Sequence, residues 1–326
     1  MKEKNNSGCR ELSLRKTAAF LKKHDNYVIL THSSPDGDTL GSGYALYYGL
    51  KEIGKTASVI CPDLIPKKYD YFVHETDHIN REIATVVAVD VADKKLLGSL
   101  DEVFGDIVDL SIDHHISNTR FAKNLYLDAN AAATCEIIYE LLCLMRVNIN
   151  TITAKALYTG LATDTGCFKY SSVTVKTHSI ASQLYEFPID AANINKLMFD
   201  TKSKNLLELE RMVLDTAEFH FDDKCMLLTV TEQIQEKTGC SGPDLEGIAV
   251  ISRSVEGVEA GVTIKQIGEK TYKVSLRTYP PIDASLICKQ LGGGGHIAAA
   301  GATVEGELDE VKAKILAAVK NVMEEV

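Results

Sequence analysis

The sequence predicts an α/β protein with a parallel sheet in its first part and a smaller α/β domain after it. Four short runs rich in Val and Ile, at residues 27–32, 56–61, 84–90 and 107–113, alternate with amphipathic or connecting segments. Such alternation is typical of parallel strands covered by helices, because each crossover must pack back onto the sheet. The length of 326 residues suggests two domains, at about 100–200 residues per domain.

The first two predicted strands are joined by a predicted helix. Leu46, Leu50 and Ile53 recur at helical spacing, and Gly54 lies where a helix C-cap is expected. The start of the chain is therefore predicted to be a β-α-β unit.

The middle of the chain is predicted to be helical, with helices over 134–145 and 151–163. A charged amphipathic helix is predicted from Pro188 to about residue 215, where it would connect the two domains. The predicted organisation is a catalytic domain over 1–187, a helical linker over 188–215 and a substrate-binding domain over 216–326.

The second predicted domain combines strands with a final helix. Residues 218–223 and 224–230 are predicted to be paired strands, and a hairpin is predicted to turn at Gly268 to Lys270. Residues 307–325 are predicted to be a helix. Four consecutive glycines, at residues 292–295, stand immediately before a histidine.

The charge of the chain excludes a protein that coats long nucleic acid. Lys and Arg number 35 against 45 Asp and Glu, which gives a net charge of −10, whereas nonspecific duplex binding relies on clustered cations. The first ten residues contain no apolar signal segment, and no run is long and apolar enough for a membrane span. We therefore expect a cytoplasmic protein without a membrane or a long duplex as partner.

The first polar cluster follows the first predicted strand. After His32, the residues Pro35, Asp36, Gly37 and Asp38 form a tight turn that can direct one imidazole and two carboxylates at one point. Strand ends of open α/β sheets bind ligands, and these donors suit Mn²⁺ or Mg²⁺. The alternative is an ordinary polar loop in which Asp38 caps the next helix.

Residues of the same chemistry follow two further predicted strands. Asp90 ends one strand, Asp113 and His114 end another, and Asp164 follows an apolar helical stretch. One Asp after a strand is ordinary turn chemistry, but three strands of one sheet would deliver these groups to the same edge. The pattern therefore predicts a metal site, in which two ions could share a bridging carboxylate.

The motifs are H-x-x-P-D-G-D from His32, a strand-terminal Asp90, D-H-H from Asp113, A-T-D-T-G around Asp164 and G-G-G-G-H-x-x-A-A-G ending at Gly301. In combination they resemble the DHH phosphoesterase superfamily with its DHH-associated C-terminal domain. Within that superfamily the chain is similar to the bifunctional oligoribonucleases and pAp phosphatases, and to phosphodiesterases that split linear di-adenylate. The resemblance covers nearly the whole chain.

The resemblance implies two Mn²⁺ ions, with Mg²⁺ or Co²⁺ as substitutes. The implied ligand sets are His32, Asp36 and Asp90 for one ion, and Asp38, Asp90, His114 and Asp164 for the other. Asp90 would be shared by the two ions, and Asp113 would orient His114 or its loop. His115 would face the substrate phosphate. The implied catalytic residues are His115 and two of the metal ligands, Asp90 and His114.

The resemblance also implies an active site in the cleft between the domains. The implied substrate-binding residues are His115, Asn118, Arg277, Gly293, Gly294, Gly295 and His296. The glycine run does not match a dinucleotide fingerprint, because it follows a predicted helix near the end of the chain. Close approach of the backbone to a phosphate explains it better than a flexible linker does. Asn118 also fits ordinary turn chemistry.

The implied activity is hydrolysis of short RNA and linear pApA to mononucleotides, and of pAp to AMP. A cyclic-dinucleotide phosphodiesterase of the same superfamily is the alternative, and a catalytically silent nucleotide-binding module is a third hypothesis. A pyrophosphatase of the superfamily would lack the glycine loop. A homodimer is left open.

One further motif points elsewhere. Residues 74–78 read H-E-T-D-H, which satisfies the H-E-x-x-H pattern of zinc proteases. Thr and Asp are poor helix formers at positions where that site needs a helix. We therefore interpret the segment as a solvated connection.

Overall fold

The computed structural model describes residues 8–78, 84–240, 245 and 247–324. The chain divides into two compact units, residues 1–201 and 202–326. Among the described residues, we find no helix whose length and apolar content would let it cross a membrane.

The first unit contains a six-stranded sheet in the order β1-β6-β5-β4-β2-β3, and every neighbouring pair is parallel. Its strands are β1 (Arg10–Glu11), β2 (Tyr27–Leu30), β3 (Ala57–Ile60), β4 (Thr85–Val89), β5 (Leu110–Asp113) and β6 (Asn124–Leu127). The four strands predicted from the sequence are β2 to β5, so the predicted parallel sheet is confirmed. The short edge strand β1 and its neighbour β6 were not predicted.

Helices cover this sheet. They are α1 (Leu14–Lys23), α2 (Gly37–Glu52), α3 (Asp101–Phe104), α4 (Thr134–Met145), α5 (Thr151–Asp164), α6 (Val175–Leu184) and α7 (Ala191–Asn195). Helix α2 ends near Gly54, whose φ of +78° is the left-handed conformation expected of a C-cap glycine. The predicted helices over 134–145 and 151–163 correspond to α4 and α5.

The two faces of the sheet pack into different clusters because side chains alternate along each strand. Ile29, Val87 and Ile112 belong to the main core with residues of α2, α4 and α5. Val28 and Val86 point to the opposite face, where they pack with residues 97–108. Burial on both faces explains why these strands are continuous apolar runs in the sequence.

The continuous helix predicted over 188–215 is wrong. Residues 191–195 form α7, residues 196–200 form a π-helical turn, and a new helix, α8 (Lys204–Leu214), begins after Ser203. The side chain of Ser203 accepts a hydrogen bond from the Leu206 amide and so caps α8. The division between the two units falls in this broken segment, between residues 201 and 202.

The second unit contains a mixed sheet in the order β11-β12-β10-β9-β8-β7. Its strands are β7 (Glu218–His220), β8 (Cys225–Val230), β9 (Ala260–Gly268), β10 (Thr271–Thr278), β11 (Gly294–His296) and β12 (Ala299–Glu305). Its further helices are α9 (Glu232–Thr238), α10 (Ile248–Ile251), α11 (Ala284–Gln290) and α12 (Leu308–Glu324). Strands β8 and β9 are parallel and the other pairs are antiparallel, which confirms the predicted β7–β8 pair and the β9–β10 hairpin.

Candidate metal centre

The sheet of the first unit brings three strand ends together. Strands β5, β4 and β2 are consecutive neighbours, and because they are parallel their carboxyl ends share one edge. His32 follows β2, Asp90 follows β4, and His114 follows β5. The φ of Asp90 is +59°, so the chain turns sharply at this residue.

Helices α2 and α5 add three carboxylates to this edge. Asp36 is the N-cap of α2 and accepts hydrogen bonds from the amides of residues 38 and 39, so Asp38 is not the cap. Asp38 lies in the first turn of α2, and Asp164 is the last residue of α5.

Small residues allow α2 and α5 to approach closely. A Cβ on Gly37 would lie 2.3 Å from Thr163 Oγ1, and a Cβ on Gly160 would lie 2.7 Å from Asp38 Oδ1. A larger side chain at either glycine would push the two helices apart. The glycines therefore allow Asp38 and Asp164 to reach the same group of ligands.

The first group consists of His32, Asp36 and Asp90. The Nε2 atom of His32 lies 3.7 Å from Asp36 Oδ1 and 3.7 Å from Asp90 Oδ2. Asp90 is buried, with 3% of its side chain exposed, whereas Asp36 is 55% exposed. This group matches the set that the resemblance implies for one ion.

The second group consists of Asp38, His114 and Asp164. The Nε2 atom of His114 lies 3.4 Å from Asp164 Oδ2 and 3.8 Å from Asp90 Oδ1. The two oxygens of Asp90 therefore face different histidines, Oδ2 toward His32 and Oδ1 toward His114. This is the arrangement that a bridging carboxylate requires.

Both histidines are oriented to accept a cation. The Nδ1 atom of His32 lies 2.7 Å from the Ser33 carbonyl, and Nδ1 of His114 lies 3.1 Å from the Ala131 carbonyl. An Nδ1–H that donates to a carbonyl leaves the lone pair on Nε2 free, which is the usual arrangement of metal-binding histidines. The Nε2 atom of His114 is buried and has no hydrogen-bond partner among the described residues. The donors present therefore fit divalent metal ions.

The carboxylates repel one another when no cation is bound. Burial and the charges of Asp90, Asp164 and Asp36 raise the pKa of Asp38 well above its usual value. Burial is also the main cause that raises the pKa of Asp164 to about 6. This stored repulsion is relieved when cations bind between the carboxylates.

A proton on His32 compensates part of this negative charge in the metal-free protein. Burial lowers the pKa of His32, but attraction from the carboxylates of Asp36 and Asp90, each 3.7 Å from Nε2, outweighs it and raises the pKa to about 11. Protons and metal ions therefore compete for the same nitrogen.

Asp113 holds the loop after β5 rather than facing the ligand groups. Its fully buried carboxylate accepts hydrogen bonds from the amides of His114 and His115 and from His115 Nδ1, at 2.8, 3.2 and 2.8 Å. The His115 ring is 42% exposed. Its hydrogen bond to Asp113 is the main cause that raises its pKa to about 9 in the metal-free protein.

Asn118 is engaged within the same loop. Its Nδ2 donates to Asp113 Oδ2 at 2.7 Å and to the Val91 carbonyl at 3.2 Å, while its Oδ1 accepts from the Arg120 amide. The side chain is 9% exposed. These contacts use both of its N–H groups, and a substrate contact for Asn118 stays a prediction.

The sequence did not predict a role for the first residues of α4. Thr134 Oγ1 donates to Asp90 Oδ1 at 2.8 Å, and the amides of Thr134 and Cys135 donate to the carboxylate of Asp38. The sequence signal that could have indicated this role is Ala133 at the N-cap of α4, since alanine cannot cap the helix and leaves its first amides free to bind another side chain.

In the second unit, Arg277 and His296 lie on one face of the sheet. Arg277 pairs with Ala299, and Ala299 pairs with His296, so the three residues form one row across β10, β12 and β11. Cross-strand partners present their side chains on the same face. His296 and Arg277 are therefore separated by two strand spacings of about 4.8 Å each.

At two positions of the glycine run, close packing within the second unit leaves no room for a side chain. A Cβ on Gly293 would lie 2.2 Å from the carbonyl oxygen of Gly301, and one on Gly295 would lie 2.5 Å from Ala300 Cα. Gly294 has no atom within 4 Å of the position of a Cβ. Close approach to β12 thus explains Gly293 and Gly295, while Gly294 is exposed.

Residues 74–78, the H-E-x-x-H segment, do not form a helix. This agrees with their interpretation as a connection. Thr76 Oγ1 contacts Ser58 Oγ at 3.0 Å, and Asp77 forms an ion pair with Lys51 at 2.7 Å. His74 Nδ1 lies 2.9 Å from the hydroxyl of Tyr48. These contacts attach the segment to β3 and α2.

Comparison with known proteins decides the family. The N-terminal domain of the DHH family matches residues 26–161, and the DHHA1 domain matches residues 223–325. The bifunctional oligoribonuclease and PAP phosphatase NrnA of Thermus thermophilus is 32% identical, over 94% of this chain and 93% of that protein. The chain belongs to the DHH phosphoesterase family. The resemblance predicted from the motifs is confirmed, and this DHH protein is a hydrolase.

Solved structures agree with the fold of this DHH protein. An exopolyphosphatase-related protein from Bacteroides fragilis has a TM-score of 0.84 and 25% identity, with 94% of this chain and 95% of that chain covered. RecJ from Thermus thermophilus in complex with Mn²⁺ has a TM-score of 0.57 and 16% identity, with 94% of this chain and 55% of that chain covered.

Proposed function

We propose that this DHH protein hydrolyses short oligoribonucleotides, including linear pApA, to mononucleotides and converts pAp to AMP. The observation that supports this most is the position of Asp90, whose two oxygens face two separate groups of metal-ligating side chains. The Thermus thermophilus relative, which covers nearly the whole chain, is named an oligoribonuclease and PAP phosphatase.

We propose two Mn²⁺ ions as the cofactors, with Mg²⁺ or Co²⁺ as substitutes. The proposed ligands are His32, Asp36, Asp38, Asp90, His114 and Asp164. Such ions lower the pKa of a bound water and neutralise charge on the phosphate oxygens. Carboxylate oxygens and imidazole nitrogens suit these ions, and RecJ of similar fold binds Mn²⁺.

The residues of the chain would then orient the phosphate. The ring of His115 is 42% exposed, and in its protonated form it would donate a hydrogen bond to a phosphate oxygen. Asp113 holds this ring in place and favours its protonated form. The proposed catalytic residues are His115 and two of the proposed metal ligands, Asp90 and His114. No Ser or Cys nucleophile is required.

The second unit would supply the remaining substrate contacts. Arg277 and His296 share one face of its sheet and are proposed to bind phosphate or base. Gly293, Gly294 and Gly295 are proposed to lie along the substrate, and the last two of them are exposed. Asn118 is proposed as a further contact from the first unit. Short RNA and small nucleotides are therefore the proposed partners.

A substrate panel tests this proposal. Purified protein would be incubated with Mn²⁺ and pAp, pApA, short RNAs, cyclic di-adenylate or pyrophosphate, and kcat/KM compared. We expect the highest values for pApA, short RNA and pAp. A preference for cyclic di-adenylate would favour the cyclic-dinucleotide phosphodiesterase, and a preference for pyrophosphate would refute the oligoribonuclease assignment. Bound Mn²⁺ without turnover would favour a silent binding module.

A further inference from the structure

We propose that Thr134 is a positioning residue of the metal centre and that residues 131–135 hold three of the proposed ligands in place. The inference rests on the proposed metal ligands and not on the proposed substrate. Thr134 is the first residue of α4 and is completely buried.

The hydroxyl of Thr134 fixes the carboxylate that the two ligand groups share. Thr134 Oγ1 donates to Asp90 Oδ1 at 2.8 Å, and Oδ1 is the oxygen that faces His114 Nε2 at 3.8 Å. A buried donor on one oxygen prevents the carboxylate from rotating freely about its last torsion. Because Oδ1 is fixed, Oδ2 stays directed at His32.

The backbone at the start of α4 holds a second ligand. The Thr134 amide donates to Asp38 Oδ2 at 2.6 Å, and the Cys135 amide donates to Asp38 Oδ1 at 2.9 Å. The N-cap residue Ala133 has no side chain that could satisfy these amides. Asp38, from α2, therefore takes the place of the missing cap, and the positive end of α4 stabilises its charge.

The same segment also orients a third ligand. The Ala131 carbonyl lies 3.1 Å from His114 Nδ1 and thereby directs Nε2 of that ring at the carboxylates. Behind the segment, the buried carboxylate of Glu136 accepts hydrogen bonds from the Ala132 amide at 3.4 Å and from Thr177 Oγ1 at 3.0 Å. Lys176 Nζ lies 3.0 Å from the other oxygen of Glu136. The segment is therefore held on both sides.

Replacing Thr134 by Val should remove the hydroxyl while keeping the branched shape. The backbone contacts to Asp38 would stay, and Asp90 would lose its only side-chain donor among the described hydrogen bonds. Loss of such a supporting hydrogen bond typically weakens metal binding by about 10–100-fold. Thr134→Ser keeps the donor and should bind metal like the wild type.

Titration calorimetry of Mn²⁺ into EDTA-treated, dialysed protein tests this inference without any substrate. The matched control is Thr153→Val, since Thr153 is buried in the first turn of α5 and its Oγ1 donates to Asn150 Oδ1 at 2.9 Å. We expect Kd to rise about 10–100-fold in Thr134→Val and to stay unchanged in Thr134→Ser and Thr153→Val.

Wild-type Mn²⁺ affinity in Thr134→Val would overturn the proposal. Equal weakening in Thr153→Val would also overturn it, because the effect would then be a general cost of losing a buried hydroxyl. If Thr134→Val does not fold, Thr134→Ala is compared with Thr134→Ser, which differs from it by one oxygen atom. Equal Kd values in that pair would refute the role of the hydroxyl.

Discussion

The carboxylate of Asp113 lies 2.8 Å from Nδ1 of His115, although Asp113 is completely buried and His115 is 42% exposed. The buried charge thus reaches a ring at the surface of the proposed site. Asp113 also accepts hydrogen bonds from the amides of His114 and His115, so one side chain sets both the path of the loop and the charge of the ring.

We expect the pKa of His115 in the metal-free protein to lie near 9, because the hydrogen bond to Asp113 favours the protonated ring. Asp113→Asn should lower this pKa toward the ordinary value of about 6.5. NMR titration of the imidazole in EDTA-treated protein measures it. The stability that the raised pKa of His115 contributes is complete below about pH 6.5 and is lost as the pH rises through 9. A His115 pKa that does not change in Asp113→Asn would contradict this account.

Metal removal should make the stability of the protein depend on pH through Asp164. Its pKa is raised to about 6 by burial and neighbouring carboxylates, so the folded state favours the neutral form. The corresponding stability is complete below about pH 4 and is lost as the pH rises through 6. The Tm of EDTA-treated protein should therefore fall between pH 5 and pH 8, and Mn²⁺ should raise it most at pH 8.

Asp164→Asn serves as the matched variant for that experiment. Asn resembles the neutral carboxyl, so we expect the metal-free variant to melt several degrees above the metal-free wild type at pH 8 and to gain less from Mn²⁺. At pH 5 the difference should shrink. A metal-free variant that melts at or below the wild type at pH 8 would show that Asp164 is not under repulsion.

Asp90→Ala should abolish hydrolysis of pApA, short RNA and pAp while the fold is kept. The reason is that Asp90 approaches a histidine of each ligand group, through its two different oxygens. The measurement is kcat/KM together with circular dichroism. Asp106→Ala is the control, since Asp106 is 89% exposed and forms an ion pair with Lys94. Wild-type turnover by Asp90→Ala would refute the bridging role.

The glycine run offers a pair of substitutions that separates folding from substrate binding. Gly294→Ala should leave the Tm unchanged, because no atom lies within 4 Å of the position of its Cβ. Gly295→Ala should lower the Tm, since the φ of Gly295 is +147° and a Cβ would lie 2.5 Å from Ala300. If Gly294 lies along the substrate, Gly294→Ala should raise KM for pApA. An unchanged KM would remove Gly294 from the proposed binding residues.

Most strands and helices of the first unit were predicted correctly because each of them leaves an apolar run or a helical periodicity within its own segment. Parallel strands covered on both faces must be apolar throughout, so β2 and β4 are visible as continuous apolar runs. The predicted helix 134–145 has the same bounds as α4. Strand β6, by contrast, lies between β1 and β5, and only one of its four residues is buried, so its sequence lacks the apolar run of a strand covered on both faces.

The predicted continuous helix over 188–215 failed for a related reason. Its charged, amphipathic composition suits α8, but Ser203 offers its side chain as a cap and starts a new helix there. Periodicity alone does not reveal a break between two helices of similar character.

The motifs and the predicted strand ends specify the types of the proposed ligands and the edge of the sheet at which they meet. His32, Asp90 and His114 each follow a strand, and parallel neighbouring strands must end at one edge. The orientation of these groups, by contrast, depends on contacts between residues that are far apart in the chain. Thr134 reaches Asp90 from 44 residues away and binds Asp38 from 96 residues away. Contacts of that range depend on how helices pack, through glycines that allow α2 and α5 to approach, and no local pattern of residues encodes them.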